Sequence, residues 1–350
     1  MTYTLRLGKE RGLRRLADDQ GHFSMVALDQ RPPIINLIAK RRGIEPAQVA
    51  YADIVAAKRL LVEVLGSQAS AMLFDPNYAL PAGIDLLPAR TGLVMTLEDH
   101  RAQDTPGGRL SHSIKDWNVE KIKACGADAV KVLAWYRPDA AAQVLEHQRN
   151  YVLEIGKECR RHDIPYVLEL LVYPLTGSVA PADDYVEAPQ KLPELVIDSV
   201  REFCDPRYGV DMLKLESPLP GATLPARDGG AEQQRVQALF DAMGDVCRAA
   251  SMPWVMLSAG VTGEQFVRVM EYAFAAGAHG FLAGRAIWGH ALQQFPDLQA
   301  CRDTLRSDGL QTLRRLEDLA RGHAGTWSAN YAGLTRGIEA EGDFCAAYAP

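Results

Sequence analysis

The sequence predicts a (β/α)₈ barrel with a C-terminal helical extension, because eight short apolar runs alternate with helix-patterned segments and no dinucleotide-type glycine motif follows the first run. The runs are Met25–Asp29, Ala71–Asp75, Gly92–Glu98, Ala129–Leu133, Tyr166–Leu171, Asp211–Glu216, Trp254–Ser258 and Gly280–Arg285. Each has the length and composition of a strand buried on both faces. Between them, Pro46–Leu65 places Val49, Ile54, Ala57, Leu60, Leu61 and Val64 on one helical stripe, and Gly66 stops it. Helices are likewise expected over Val119–Cys125, Ala140–Arg161, Leu192–Cys204, Ala231–Ala250 and Gly263–Ala276, each leading into the next run. The link 76–91 has room for only a short helix. Where an open dinucleotide-binding sheet would carry G-x-G-x-x-G, this chain has Leu28-Asp-Gln-Arg-Pro-Pro, which leaves the doubly wound sheet as the lesser alternative. The barrel is expected over 1–296. Residues 297–350 form the extension, with a helix over Leu298–Arg321 and a tail carrying Trp327, Tyr331 and Tyr348, packed on the barrel at a subunit contact.

Bulk properties exclude several functions. A formal charge of −6 and a pI near 5.8, with the basic residues scattered, give no footprint for nucleic acid. No apolar stretch approaches the roughly 20 residues needed to span a bilayer, and the N-terminus lacks a signal-peptide core. Six cysteines stand far apart without a C-x-x-C pair, which fits a reducing cytoplasm rather than a disulfide framework or zinc site. The eight histidines show neither H-x-H nor H-E-x-x-H spacing, so no metal is expected.

Charged residues inside apolar runs carry the functional signal. Burying a charge without a partner is costly, so Lys131, Glu169 and Lys214 need compensation or a chemical task. Strand alternation puts Met212, Lys214 and Glu216 on one face, and Leu213 and Leu215 on the other. The same rule aligns Ala129 with Lys131, Val167 with Glu169 and Ala27 with Asp29. Four strands would therefore aim Asp29, Lys131, Glu169 and Lys214 at one axial space, at the C-terminal strand ends where barrel enzymes keep their catalytic groups. A purely structural charge network is the alternative. Two lysines with two carboxylates favour amine chemistry.

The segments Ala-Leu-Asp29-Gln-Arg, Phe-Asp75-Pro-Asn-Tyr-Ala-Leu-Pro, Gly-Ala-Asp-Ala-Val-Lys131, Leu-Glu169-Leu, Leu-Lys214-Leu-Glu, Leu-Ser258-Ala-Gly-Val and Ala-Gly284-Arg285-Ala-Ile-Trp resemble the tagatose 1,6-bisphosphate aldolase family of class I aldolases. The resemblance runs from about residue 20 to Trp288, with a weaker echo at Ala324-Gly-Thr-Trp327. It implies a (β/α)₈ barrel, no metal or other cofactor, a Schiff-base lysine at Lys214, and supporting roles for Asp29, Lys131 and Glu169. The expected partner is a phosphorylated ketose, and a homodimer is the expected assembly. Pro32-Pro33 departs from the small or polar residues of the family pattern, which leaves the sugar open: D-tagatose 1,6-bisphosphate is the first choice. A sulfofructose 1-phosphate, as in the related sulfofructose-phosphate aldolases, is the rival. A phosphosugar sensor without turnover is a third reading.

The residue types suit the chemistry. Cleaving a ketose between C3 and C4 leaves a carbanion beside the carbonyl, and a protonated imine supplies the electron sink. Only a neutral amine attacks, and a free lysine with pKa near 10.4 is neutral about once in a few thousand molecules at pH 7. Burial and a neighbouring ammonium, Lys131, would favour the neutral form of Lys214. Glu169 would move the protons, and Asp29 would orient Lys131 or substrate hydroxyls. Phosphate is expected at the loops after strands seven and eight, where Ser258, Gly260, Gly284 and Arg285 stand, since barrels often bind it there through backbone N–H groups and a helix N-terminus. Gln30, Arg31 and Glu216 are further possible substrate contacts, with Arg31 and Arg109 as second-rank phosphate ligands. Asp75-Pro reads as a turn, and the long loop after strand three, with Asp99, His100 and His112, as a lid.

Overall fold

The computed structural model describes residues 5–174, 192–331 and 345. Eight parallel strands close into a barrel: β1 (Phe23–Leu28), β2 (Ala71–Phe74), β3 (Gly92–Thr96), β4 (Ala129–Trp135), β5 (Tyr166–Leu171), β6 (Met212–Leu215), β7 (Trp254–Met256) and β8 (Gly280–Ala283). Each pairs with its neighbours in chain order, and β8 returns to β1 through Phe23↔Gly280. A Cβ at Gly280 would stand 2.0 Å from the carbonyl oxygen of Phe23, so this closing seam needs glycine.

Alternation sorts the side chains into two cores. Met25, Ala27, Leu73, Val94, Ala129, Val167, Met212, Val255 and Leu282 fill the barrel interior. Their outward neighbours, among them Leu28, Phe74, Met95, Val132, Leu168, Leu213 and Met256, pack against the surrounding helices. The floor of the interior is closed by a helix the sequence reading did not anticipate, Leu7–Leu16, with Leu13 and Leu16 pointing in. Trp327 joins it from the C-terminal side, its ring centroid 6.4 Å from that of Phe23. Polar chemistry is thereby confined to the opposite end of the barrel.

Several helices differ from expectation in detail. Pro46–Gln48 is a separate 3₁₀ turn held by a capping box between Glu45 and Gln48, and the α-helix starts at Tyr51 after an extended Ala50. The 76–91 link does hold one short helix, Ala79–Gly83. Pro32 and Pro33 open a helix, Pro32–Arg42, where a missing N–H costs nothing. The extension is a helix Leu298–Thr304, a π-turn Leu305–Gly309 and a second helix Leu310–His323. Its Leu305, Leu313, Leu316 and Ala320 are buried in the same core as the barrel helices. Tyr348, placed in the tail by the sequence reading, lies outside the described residues.

Candidate active site

Directly above the interior apolar layer, the inward positions two residues further along four strands turn from hydrocarbon to charge. Ala27 is followed by Asp29, Ala129 by Lys131, Val167 by Glu169 and Met212 by Lys214. Register completes the placement: Glu169 on β5 lies directly beside Lys214 on β6, and Leu133 on β4 is its other partner. All four charged residues are at most 9 % exposed and line one cavity of about 140 Å³ at the C-terminal mouth.

Lys131 is the hub of the network. Its Nζ donates to Asp29 Oδ2 at 2.8 Å and to Glu98 Oε1 at 2.6 Å, and lies 2.7 Å from Glu169 Oε2. Burial alone would lower its pKa, but Asp29, Glu169 and Glu98 outweigh burial and hold the ammonium well above the ordinary lysine value. Burial would likewise raise the pKa of Asp29. Lys131, Lys214 and Arg31 outweigh that effect and hold the carboxyl well below its usual range. Lys214 Nζ donates to the same Glu169 oxygen at 3.0 Å. Lys131, expected as the ammonium neighbouring Lys214, has three carboxylates around it, one of them shared with Lys214. One carboxylate oxygen touches both amines, within reach of proton exchange with either.

Glu98 is the residue the sequence reading missed. It stands two positions beyond the end of β3, on the inward face shared by Val94 and Thr96, and is buried. The signal was the terminal glutamate of the third apolar run.

The expected phosphate residues come together at the neighbouring rim. Ser258, Gly260, Gly284 and Arg285 all line the cavity. Ser258 Oγ accepts from the Gly284 N–H at 3.4 Å, and Gly284 caps the helix Arg285–Leu292, whose first N–H groups have no acceptor within the helix. The Arg285 guanidinium lies over Gly260, where a Cβ would come within 3.0 Å of it, and Gly260 has φ +81°. The left-handed backbone favours glycine there. The same helix is tied to β1, since Trp288 Nε1 donates to Ala27 O at 3.0 Å.

The other named residues divide. Gln30 and Arg31 line the cavity, Arg31 donating through Nη2 to the Glu98 carbonyl at 3.1 Å. Glu216 is buried but outside the lining; its Oε1 accepts from the Val172 N–H at 2.7 Å, tying β6 to β5 just past the strand ends. Arg109 is outside the lining as well. Its guanidinium stacks on Trp135 at 4.7 Å and Tyr173 at 5.2 Å. It belongs to a short hairpin, Gln103–Thr105 with Gly108–Leu110, formed by the loop expected as a lid and anchored by Arg109 N donating to Tyr173 Oη at 2.8 Å. His100, from that loop, reaches the cavity. Asp75 does organise a turn, accepting from the N–H groups of Asn77, Tyr78 and Ala79. It is also fully buried against Lys58, which donates to it and to Leu28 O at 2.7 Å. Lys58 thus braces the strand end that presents Asp29.

Comparison with known proteins identifies the family. Residues 23–290 match the model of the DeoC/LacD family aldolases. The chain is 32% identical over 330 residues to tagatose 1,6-diphosphate aldolase 1 of Streptococcus mutans serotype c, covering 93% of this chain and 99% of that one. Over 327 residues it is 31% identical to the tagatose 1,6-diphosphate aldolase of Lactococcus lactis subsp. lactis, covering 91% and 97%. Among solved structures, fructose-bisphosphate aldolase from Plasmodium falciparum shares the fold with a TM-score of 0.64 at 13% identity, covering 93% of this chain and 98% of that one. A Schiff-base-forming fructose-1,6-bisphosphate aldolase does so at 0.53 and 18% identity, covering 89% and 98%. With three-quarters of its length matched by one family model and near-complete coverage of its relatives, the chain belongs to the DeoC/LacD family of aldolases and is a lyase.

Proposed function

We propose that the protein is a class I aldolase that cleaves a phosphorylated ketose to dihydroxyacetone phosphate and an aldehyde through an imine at Lys214. The observation that carries this reading is the single Glu169 oxygen lying 3.0 Å from Lys214 Nζ and 2.7 Å from Lys131 Nζ inside the mouth cavity. Lys214 attacks the C2 carbonyl, water leaves, and a protonated imine forms. Glu169 takes the proton of the C4 hydroxyl while the C3–C4 bond breaks. Its electron pair passes into the iminium to give an enamine, and the C4 aldehyde departs. Protonation at C3 and hydrolysis of the imine then release dihydroxyacetone phosphate. Asp29 and Lys131 fix the position of Glu169, and Arg285 with the backbone about Ser258, Gly260 and Gly284 holds the C1 phosphate.

D-Tagatose 1,6-bisphosphate is the substrate the relatives' names favour, with glyceraldehyde 3-phosphate as the second product. Pro32 and Pro33, which line the cavity and depart from the family pattern, leave the sugar open, and the second reading is a sulfofructose 1-phosphate whose product is sulfolactaldehyde. The proposal extends to a catalytic barrel over 1–296 with a packed extension over 297–350, a homodimer and a cytoplasmic place. The packed extension is supported by its buried leucines and the cytoplasmic place by the unpaired cysteines, while the homodimer is an expectation from the sequence.

Borohydride reduction in the presence of dihydroxyacetone phosphate tests the imine. One reduced triose phosphate per chain is expected at Lys214 and none in Lys214→Met. Adduct at Lys131 instead would reverse the two lysines. Cleavage of tagatose 1,6-bisphosphate against sulfofructose 1-phosphate, measured side by side, decides the distal group.

A further inference from the structure

Three buried acceptor atoms on one side of the mouth cavity have no hydrogen-bond partner among the described residues: Asp29 Oδ1, Gln30 Oε1 and Glu98 Oε2. Leaving a buried acceptor unpaired is costly, and an ionised carboxylate only accepts, so this wall is built to receive donors. Its residues follow β1 and β3. The strand between them, β2, stands opposite β6 in a ring of eight, so the acceptors face Lys214 across the barrel axis. Glu98 is the informative member. One of its oxygens, Oε1, already serves Lys131 at 2.6 Å, so supporting the lysine accounts for only half of the carboxylate. Its backbone is held as well, through Arg31 Nη2 on its carbonyl at 3.1 Å, so the second oxygen is aimed rather than left loose.

We propose that Glu98 is a specificity residue for the aldehyde half of the substrate, its Oε2 accepting a hydrogen bond from the hydroxyl at C5. The assignment rests on the aldolase reading given above. With C2 bonded to Lys214 and the C4 oxygen at Glu169, the next hydroxyl along an open-chain ketose is that at C5. The chain runs away from β6, across the axis, towards the acceptors. The ligand chemistry this wall recognises is a hydroxyl-bearing carbon next to the reacting carbonyl, a 2-hydroxyaldehyde in the direction of condensation.

The test is condensation of dihydroxyacetone phosphate with glyceraldehyde 3-phosphate and with 3-hydroxypropanal phosphate, which lacks only that hydroxyl. Wild type should favour the hydroxylated aldehyde in kcat/KM by about ten- to a hundredfold, the range for a hydrogen bond to a charged group. Glu98→Gln keeps an oxygen for Lys131 and sets an N–H₂ donor where Oε2 was. The preference should fall to within about threefold of unity in this variant, a ratio that a general loss of catalytic power leaves unmoved. Wild type that does not discriminate, or a variant that keeps the full preference, would overturn the assignment while triose phosphate trapping at Lys214 stays intact. Absence of trapping in wild type would overturn the imine reading, and this assignment with it.

Discussion

Replacing Lys131 with methionine removes the one cation on which three buried carboxylates converge. At separations of 2.8, 2.6 and 2.7 Å, each pair has a gross attraction of about 6 kcal/mol at an effective dielectric of about 20. Desolvation of the buried groups cancels most of this, and removing one partner from a buried pair costs about 3–5 kcal/mol net. Lys131→Met should therefore lose about that much stability at pH 7. The loss has a pH signature with a definite sign. In the wild type, Asp29 titrates below its unfolded value, so its contribution is present above about pH 4 and is lost as pH falls through the lower folded value. Lys131 titrates above its unfolded value, so its contribution is present below about pH 10 and is lost as pH rises through the higher folded value. Both are in full force at neutrality. In the variant, the three carboxylates have no cation at their centre, and at least one holds a proton in the fold at a pH where the unfolded chain has released it. Lowering the pH from 7.5 to about 5 should then narrow the gap to wild type. Urea unfolding followed by tryptophan fluorescence at the two pH values measures it. A variant within about 1 kcal/mol of wild type at both would refute the reasoning, since that is the worth of an exposed pair.

Glu169→Gln keeps the shape of the bridge between the amines and removes its charge, so cleavage should fall by about a hundredfold or more. Turnover close to wild type in a steady-state assay would move the base to another group. Arg285→Ala should weaken binding of dihydroxyacetone phosphate by about 2–3 kcal/mol and cost much less for an analogue without the phosphate. Equal losses in that double cycle would make the arginine a structural residue.

The strands and most of the site were legible because a barrel interior obeys a period of two. Once Ala27, Ala129, Val167 and Met212 are recognised as inward, Asp29, Lys131, Glu169 and Lys214 follow by counting. Counting fails past the strand ends. Glu216 shares the parity of Lys214, yet β6 ends at Leu215, and the glutamate turns to the Val172 N–H instead. Glu98 lies one residue further beyond its own strand, β3, and does enter the cavity, a difference set by loop conformation and by its attraction to Lys131. The helix Leu7–Leu16 was hidden by composition: LGKERGLRRL contains five charged residues and two glycines. Gly12 is there because Asp128 O and Pro165 approach within 2.5 Å of where its Cβ would be, a packing reason invisible without the fold. The hairpin over 103–110 is three residues a side and polar, too short to leave a pattern.

The seam between β8 and β1 joins the first strand of the barrel to the last. Lys131, Glu169 and Lys214 come from three consecutive strands in the middle of the chain, whereas Asp29 directly follows the first strand and Arg285 lies just after the last. A growing chain that has not yet reached Gly280 already carries Lys214, the amine of the proposed imine, but β1 still has an open edge and the helix Arg285–Leu292, proposed to hold the phosphate, does not exist. Docking of the final strand brings in Arg285 and, through Trp288 on Ala27 O, clamps the end of β1 in the same event. Lys214 shares a cavity with both Asp29 and Arg285 only when the ring is complete. Under the proposed imine chemistry, catalytic competence is a property of the closed topology, and any fragment short of the last strand holds Lys214 without the Arg285 wall of the cavity.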